Sequence, residues 1–209
     1  MAFFINNIDK LIREATRDIR SIDLNPQKTA VINVDVINGF FKEGNLSSPR
    51  LDNITSKIVR VNEYFLSSQK VFFVDTHTPE SVELQNYPVH CTNDNERLII
   101  KEMEKFSDGA EIIAKNSTNA FFAQKYVRWL SKNLENLDNY VITGGATDIC
   151  VMQYALSQKA YLNSINNKSR VIVVENAVQT FDNSAHDGDQ MQSFALYNMY
   201  INGILLVQI

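Results

Sequence analysis

The feature that most constrains this chain is an alternation of two apolar patterns. Short runs rich in β-branched and aromatic residues take turns with longer stretches whose apolar residues recur at helical spacing. Runs at Thr29–Asp35, Lys70–Asp75, Tyr140–Gly144, Arg170–Glu175 and Gly203–Val207 read as buried strands, and Glu111–Lys115 adds a further extended piece. Between them, Ile54, Ile58, Val61 and Phe65 share one face of a predicted helix over 51–65. Phe121, Tyr126 and Leu130 do so over 120–130, and Tyr154 and Ala155 lie on a third helix over 151–162. Parallel strands need a crossover between them, and helices supply it. The pattern therefore predicts a three-layer α/β/α architecture around a mainly parallel sheet of about six strands.

Upstream, Ile8, Leu11, Ile12, Ala15 and Ile19 repeat at helical spacing until Pro26 ends the pattern. Residues 1–28 thus carry an extra helix before the first strand, packed on the outside of the sheet or on a partner, which would suit a homo-oligomer. There is no internal repeat or low-complexity linker, and only 7 glycines in all, so nothing marks a boundary and residues 1–209 are expected to form one domain. A hydrophobic content of 44% is enough for one sizeable core.

Twenty basic and 24 acidic residues are interleaved to a net charge of −4, which leaves no continuous positive footprint for a phosphate backbone. Nucleic acid is not an expected partner. Charged residues follow the short apolar start at once, so no signal-peptide core fits, and no later run is long enough to span a bilayer. Two cysteines are too few for a disulfide framework, and the expected setting is a reducing cytoplasm.

In an open parallel sheet, ligands sit beyond the carboxyl ends of the strands. Asp35, Asp75, Lys115 and Cys150 all fall at or just after such ends. Each has an ordinary alternative: a carboxylate starting a turn, a snorkelling lysine, a thiol filling the core. Cys150, however, follows Gly144-Gly145-Ala146-Thr147-Asp148-Ile149 at the start of an apolar helix. There the positive end of the helix dipole would lower the thiol pKa, and unpaired N–H groups could hold an oxyanion. A carboxylate, an ammonium and a thiol on one edge suit acyl chemistry, with the carboxylate taking the thiol proton.

A second constellation is Asp75-Thr76-His77, then Glu83, then Tyr87-Pro88-Val89-His90-Cys91. Asp and His two apart on an extended segment point to the same side, and Glu83 and His90 can return to them across a loop. Imidazole with carboxylate suits zinc, manganese or iron. The alternative is that both histidines are polar loop residues. His186 stands alone in a polar stretch over 182–190 and receives no role.

Taken together, Asp35 with Asn38-Gly39-Phe40-Phe41, Lys115 with Asn119-Ala120-Phe121, and Gly144 to Val151 resemble the Asp, Lys and Cys motifs of the isochorismatase-like cysteine hydrolases. The resemblance runs from about Thr29 to the end, in order and spacing, and is most specific at Ala146-Thr147-Asp148-Ile149-Cys150-Val151. Within that family, the loop from Asp75 to His90 resembles that of nicotinamidases. The resemblance implies Asp35, Lys115 and Cys150 as the catalytic set and Asp75, His77, Glu83 and His90 as ligands of one divalent metal, zinc first. It also implies Phe40 and Tyr87 as ring-stacking residues, and Gly145 and Ala146 as a cis peptide that aims N–H groups at the oxyanion. Asn119 stands where serine is usual and Tyr87 where tryptophan is, and the stretch after Cys91 is shorter and lacks a Gly-Thr.

The implied reaction is deamidation of nicotinamide through a thioester on Cys150, as part of pyridine nucleotide salvage. Three alternatives remain: a family member acting on a ureide, carbamoyl compound or other amide; a vinyl-ether-cleaving isochorismatase, against which Cys150 argues; and a thiol sensor pairing Cys91 with Cys150.

Overall fold

The computed structural model describes the backbone of residues 2–209 and the side chains of residues 7–209. Seven strands form a single sheet: β1 (Arg17–Asp18), β2 (Thr29–Val34), β3 (Gln69–Asp75), β4 (Glu111–Lys115), β5 (Asn139–Gly145), β6 (Arg170–Gln179) and β7 (Leu205–Gln208). Every pairing is parallel, in the spatial order β1-β7-β6-β5-β2-β3-β4. The chain builds outward from β2 to β3 and β4, then returns to place β5 on the other side of β2. Strand order thus reverses between β2 and β5, which is where ligands gather in such sheets.

Alternation at period two divides the strand side chains between two cores. Ala30, Ile32 and Val34 of β2, Val71 and Phe73 of β3, and Tyr140 and Ile142 of β5 enter one layer, packed against helices Gln124–Asn133, Met152–Ser164 and Gly188–Ile201. Val31, Phe72, Val141, Ile172 and Val174 enter the other, against helix Thr55–Tyr64 with its buried Ile58 and Val61. Asn33 lies within the sheet, fully buried, and is satisfied by Asn62 and by the Thr143 hydroxyl at 2.8 and 3.0 Å. No helix among the described residues is long and apolar enough to cross a membrane.

The six strands expected are all present, and the seventh is the addition. β1 is two residues long, paired with Val207 and Gln208 at the sheet edge, and so short a strand leaves no periodic signal. The N-terminal helix spans Ala2–Ala15, not the whole run to Ile19. Ile8 and Ile12 are buried in the first core, whereas Ile19 is buried in the second, because the chain rounds the sheet edge through β1. The helix packs on Gly188–Ile201, and the Ser193 hydroxyl donates to Asp9 at 2.6 Å. Helix Gly188–Ile201 was not expected: with the sheet on one side and the N-terminal helix on the other, it has no single apolar stripe to betray it.

Gly144, at the end of β5, has φ +114°, and a Cβ there would meet the Val34 carbonyl oxygen at 2.0 Å. Glycine is what lets β5 and β2 close together at the point where the order reverses.

Candidate active site

Four adjacent strands, β5, β2, β3 and β4, deliver the chemistry-bearing residues to one edge. Asp35 follows β2 with φ 52°, a left-handed conformation uncommon for a non-glycine residue and a mark of a constrained site. Its backbone N–H donates to the Phe73 carbonyl at 3.1 Å, which fixes it beside β3. Asp75 and Lys115 are register partners at the ends of β3 and β4. Lys115 Nζ lies 2.8 Å from Asp75 Oδ1, 3.0 Å from Asp35 Oδ2 and 3.8 Å from Cys150 Sγ. All four residues are buried.

Burial alone would discharge this cluster, and the lysine prevents it. Desolvation works to lower the Lys115 pKa, but Asp35, Cys150 and Asp75 outweigh it and hold the group charged. For Asp35, burial dominates and raises the carboxyl to about 6, against the lowering pull of Lys115. Although Lys115 is close, neither Asp35 oxygen takes a well-directed hydrogen bond from the protein, so its lone pairs stay available. The dipole-lowered pKa expected for Cys150 is not what the surroundings produce. Burial, aided by the negative charges of Asp35 and Asp75, raises it despite Lys115. The resting form is a thiol that needs a base.

Cys150 lies in a π-helical turn, Thr147–Val151, that leads into the helix Met152–Ser164. The preceding Gly145–Ala146 peptide bond is cis. The Ala146 carbonyl takes the N–H groups of Ile149 and Val151 at 3.2 and 3.1 Å.

The second group converges directly behind Asp75. His77 Nε2 and His90 Nε2 each lie 3.0 Å from Asp75 Oδ2, and Glu83 Oε1 lies 3.8 Å from His77 Nε2. The other ring nitrogens are committed: His77 Nδ1 lies 2.8 Å from Asn116 Oδ1, and His90 Nδ1 lies 2.7 Å from the Pro88 carbonyl. The Pro88 carbonyl can only accept, so His90 Nδ1 carries the proton. Asn116 Oδ1, which also takes the Ser81 hydroxyl at 2.6 Å, is placed to accept from His77 in the same way. In the neutral rings, both Nε2 lone pairs then face a carboxylate, an arrangement that calls for positive charge between them. Asp75 accordingly raises the His77 pKa. Four ligand atoms within 4.8 Å of one another, with both histidines oriented from behind, fit a divalent transition metal.

Both groups open into one cavity of about 50 Å³, reached by Cys150 and by Asp75, Glu83 and His90. Phe40, from the short helix Asn38–Phe41, and Tyr87 line it, with ring centroids 5.7 and 6.2 Å from His90. Gly39 permits that helix its position, since a Cβ would lie 2.9 Å from Cys91 Sγ.

Residues 29–200 match the family described as the isochorismatase domain. The chain belongs to the isochorismatase family. Among solved structures, nicotinamidase/pyrazinamidase from Bacillus subtilis is 21% identical with a TM-score of 0.73, covering 87% of this chain and all of the other (100%). N-carbamoylsarcosine amidase from Thermoplasma acidophilum is 26% identical with a TM-score of 0.69, covering 87% and 96%. Pyrazinamidase from Pyrococcus horikoshii in complex with zinc is 22% identical with a TM-score of 0.67, covering 87% and 99%. No curated protein matches the chain.

Within this isochorismatase-family site, Asn116, Phe181 and His186 carry no sequence-based assignment. No sequence pattern marks Asn116; only the fold sets its Oδ1 2.8 Å from His77 Nδ1. Phe181 and His186 lie beyond β6, where His186 was given no role. Phe181 lines the cavity, and His186 stacks on it with centroids 3.9 Å apart. Only the fold brings either near Cys150.

Proposed function

We propose that this chain is a metal-dependent cysteine amidohydrolase that deamidates nicotinamide to nicotinate and ammonia. The observation that carries the reading is the sharing of Asp75. One of its oxygens receives the lysine beside the thiol, and the other faces the histidine pair, so a nucleophile and a metal pocket border one small cavity.

In this reading Asp35 takes the Cys150 proton as the sulfur attacks the carboxamide carbon. Lys115 favours the developing negative charge on sulfur, and the N–H groups of Ala146 and Cys150 donate to the oxyanion. As the C–N bond breaks, Asp35 returns its proton to the departing ammonia. It then takes a proton from the water that attacks the thioester, and nicotinate leaves with the thiol restored. A divalent metal held by Asp75, His77, Glu83 and His90 would supply a Lewis-acid site for the ring nitrogen, orienting the ring. Phe40 and Tyr87 flank the ring. We assign the activity to a cytoplasmic enzyme of one domain.

A second reading, hydrolysis of a carbamoyl compound, is favoured by the 26% identity to N-carbamoylsarcosine amidase. The sensor alternative is not favoured, since Cys91 is fully buried and its environment holds it as a thiol. Ammonia release from a panel of amides, including nicotinamide, pyrazinamide and a carbamoyl amine, before and after chelator treatment, tests the proposal. Chelator-sensitive release from nicotinamide is expected. Chelator-insensitive release from the carbamoyl compound alone would transfer the assignment to the second reading.

A further inference from the structure

We infer that Phe181 is a specificity-determining wall of the substrate cavity, selecting planar aromatic carboxamides over aliphatic ones, and that His186 is the residue that positions it. This deepens the amidohydrolase reading and rests on it for the identity of the reacting group.

Phe181 follows β6, on the far side of β5 from Phe40 and Tyr87, and reaches the cavity that Ala146, Ile149 and Cys150 also line. Its ring is not packed into either core. Instead it stacks on His186, with the planes 16° apart. The imidazole is held in turn: Nε2 lies 2.8 Å from Asp148 Oδ2, and Nδ1 lies 3.1 Å from the carbonyl oxygen of Phe181 itself. Asp148 is buried, lies in the same turn as Cys150, and accepts the Thr180 hydroxyl at 2.5 Å through its other oxygen. The segment after β6 is therefore tied to the nucleophile turn at Thr180 and at His186, on either side of Phe181. Asp182 closes the loop by accepting the Gly188 N–H at 2.9 Å.

A phenyl ring backed by an imidazole and referenced to the turn that carries the thiol is a rigid flat surface. Such a surface recognises a flat ligand by stacking, with little entropy lost. Aromatic residues thus reach the cavity from three separate elements, and the residue two positions before the proposed nucleophile sets the placement of one of them.

The test uses metal-loaded protein carrying Cys150→Ala, so that ligands bind without turnover, and compares benzamide with propionamide by calorimetry. Benzamide lacks a ring nitrogen and reads the walls alone. Phe181→Leu should weaken benzamide binding about five- to tenfold while leaving propionamide within about twofold. His186→Gln keeps a donor for Asp148 but loses the stack, and should give an intermediate, aromatic-selective loss with an unchanged Tm. Equal losses for both amides, no loss for benzamide, or parent protein that binds benzamide no better than propionamide would each overturn the inference. Absence of ammonia release from every amide by the protein with Cys150 intact, with the benzamide preference retained, would overturn the amidohydrolase reading and leave the wall assignment standing.

Discussion

Among single residues, Asp75 has the most divided task, since Lys115 and the two histidines draw on different oxygens of one carboxylate. Asp75→Asn should therefore reduce metal content and amide turnover together, measured by metal analysis and ammonia release on the same sample. Cys150→Ala should lower turnover by about three orders of magnitude or more, because the covalent route is lost; retention of the parent rate would refute the thioester. The pH dependence follows from Asp35. As the proposed base it must be ionised, and its pKa is raised to about 6, so kcat/KM should fall as pH drops through that value and level off above it. An acid limb near 4, the ordinary carboxylate range, would contradict an environment in which burial outweighs the lowering pull of Lys115. Position at the start of a helix was readable for Cys150 from its sequence. Its raised pKa was not, because desolvation by neighbours from other strands outweighs a local dipole.

Among elements, the short run from the last residue of β4 onward does more than its length suggests. Lys115 holds Asp75, Asn116 faces His77 Nδ1, and the Thr118 N–H donates to Glu83 Oε2 at 2.8 Å, so three of the four metal-facing residues are oriented from one side. Asn116→Ala should weaken metal affinity about 10- to 100-fold in a competition titration while leaving the fold intact; unchanged affinity would show that His77 needs no such support. The N-terminal helix is expected to act on stability. Ile12→Ala, emptying a buried position against the first core, should cost about 2–4 kcal/mol in denaturant unfolding with KM unchanged. Strands with β-branched runs and helices with one apolar face were legible because each wears its environment as a period. Gly188–Ile201 was not, being covered on two sides, and neither was β1, which is too short to have a period.

Over the whole molecule, the metal-facing group comes from β3 and the loop that follows it, and exists only in the folded chain. Metal binding should thus raise thermal stability by mass action, about 4 kcal/mol at a thousandfold excess over Kd, and chelation should lower Tm by the same route. Unchanged Tm on chelation would argue against a bound metal. The topology was legible as a class, since alternation implies parallel pairing; the insertion of β5 beside β2 was not, because no local pattern encodes which strand a returning chain will meet. That insertion also orders events in time. Val34 and Gly144 meet across 110 positions of sequence, and until they do, Asp35 and Cys150 belong to separate fragments. Pairings so distant form slowly. A refolding chain should accordingly regain its helices and its β2–β3–β4 half before it regains any capacity to act on an amide, so catalytic recovery should trail the far-ultraviolet signal.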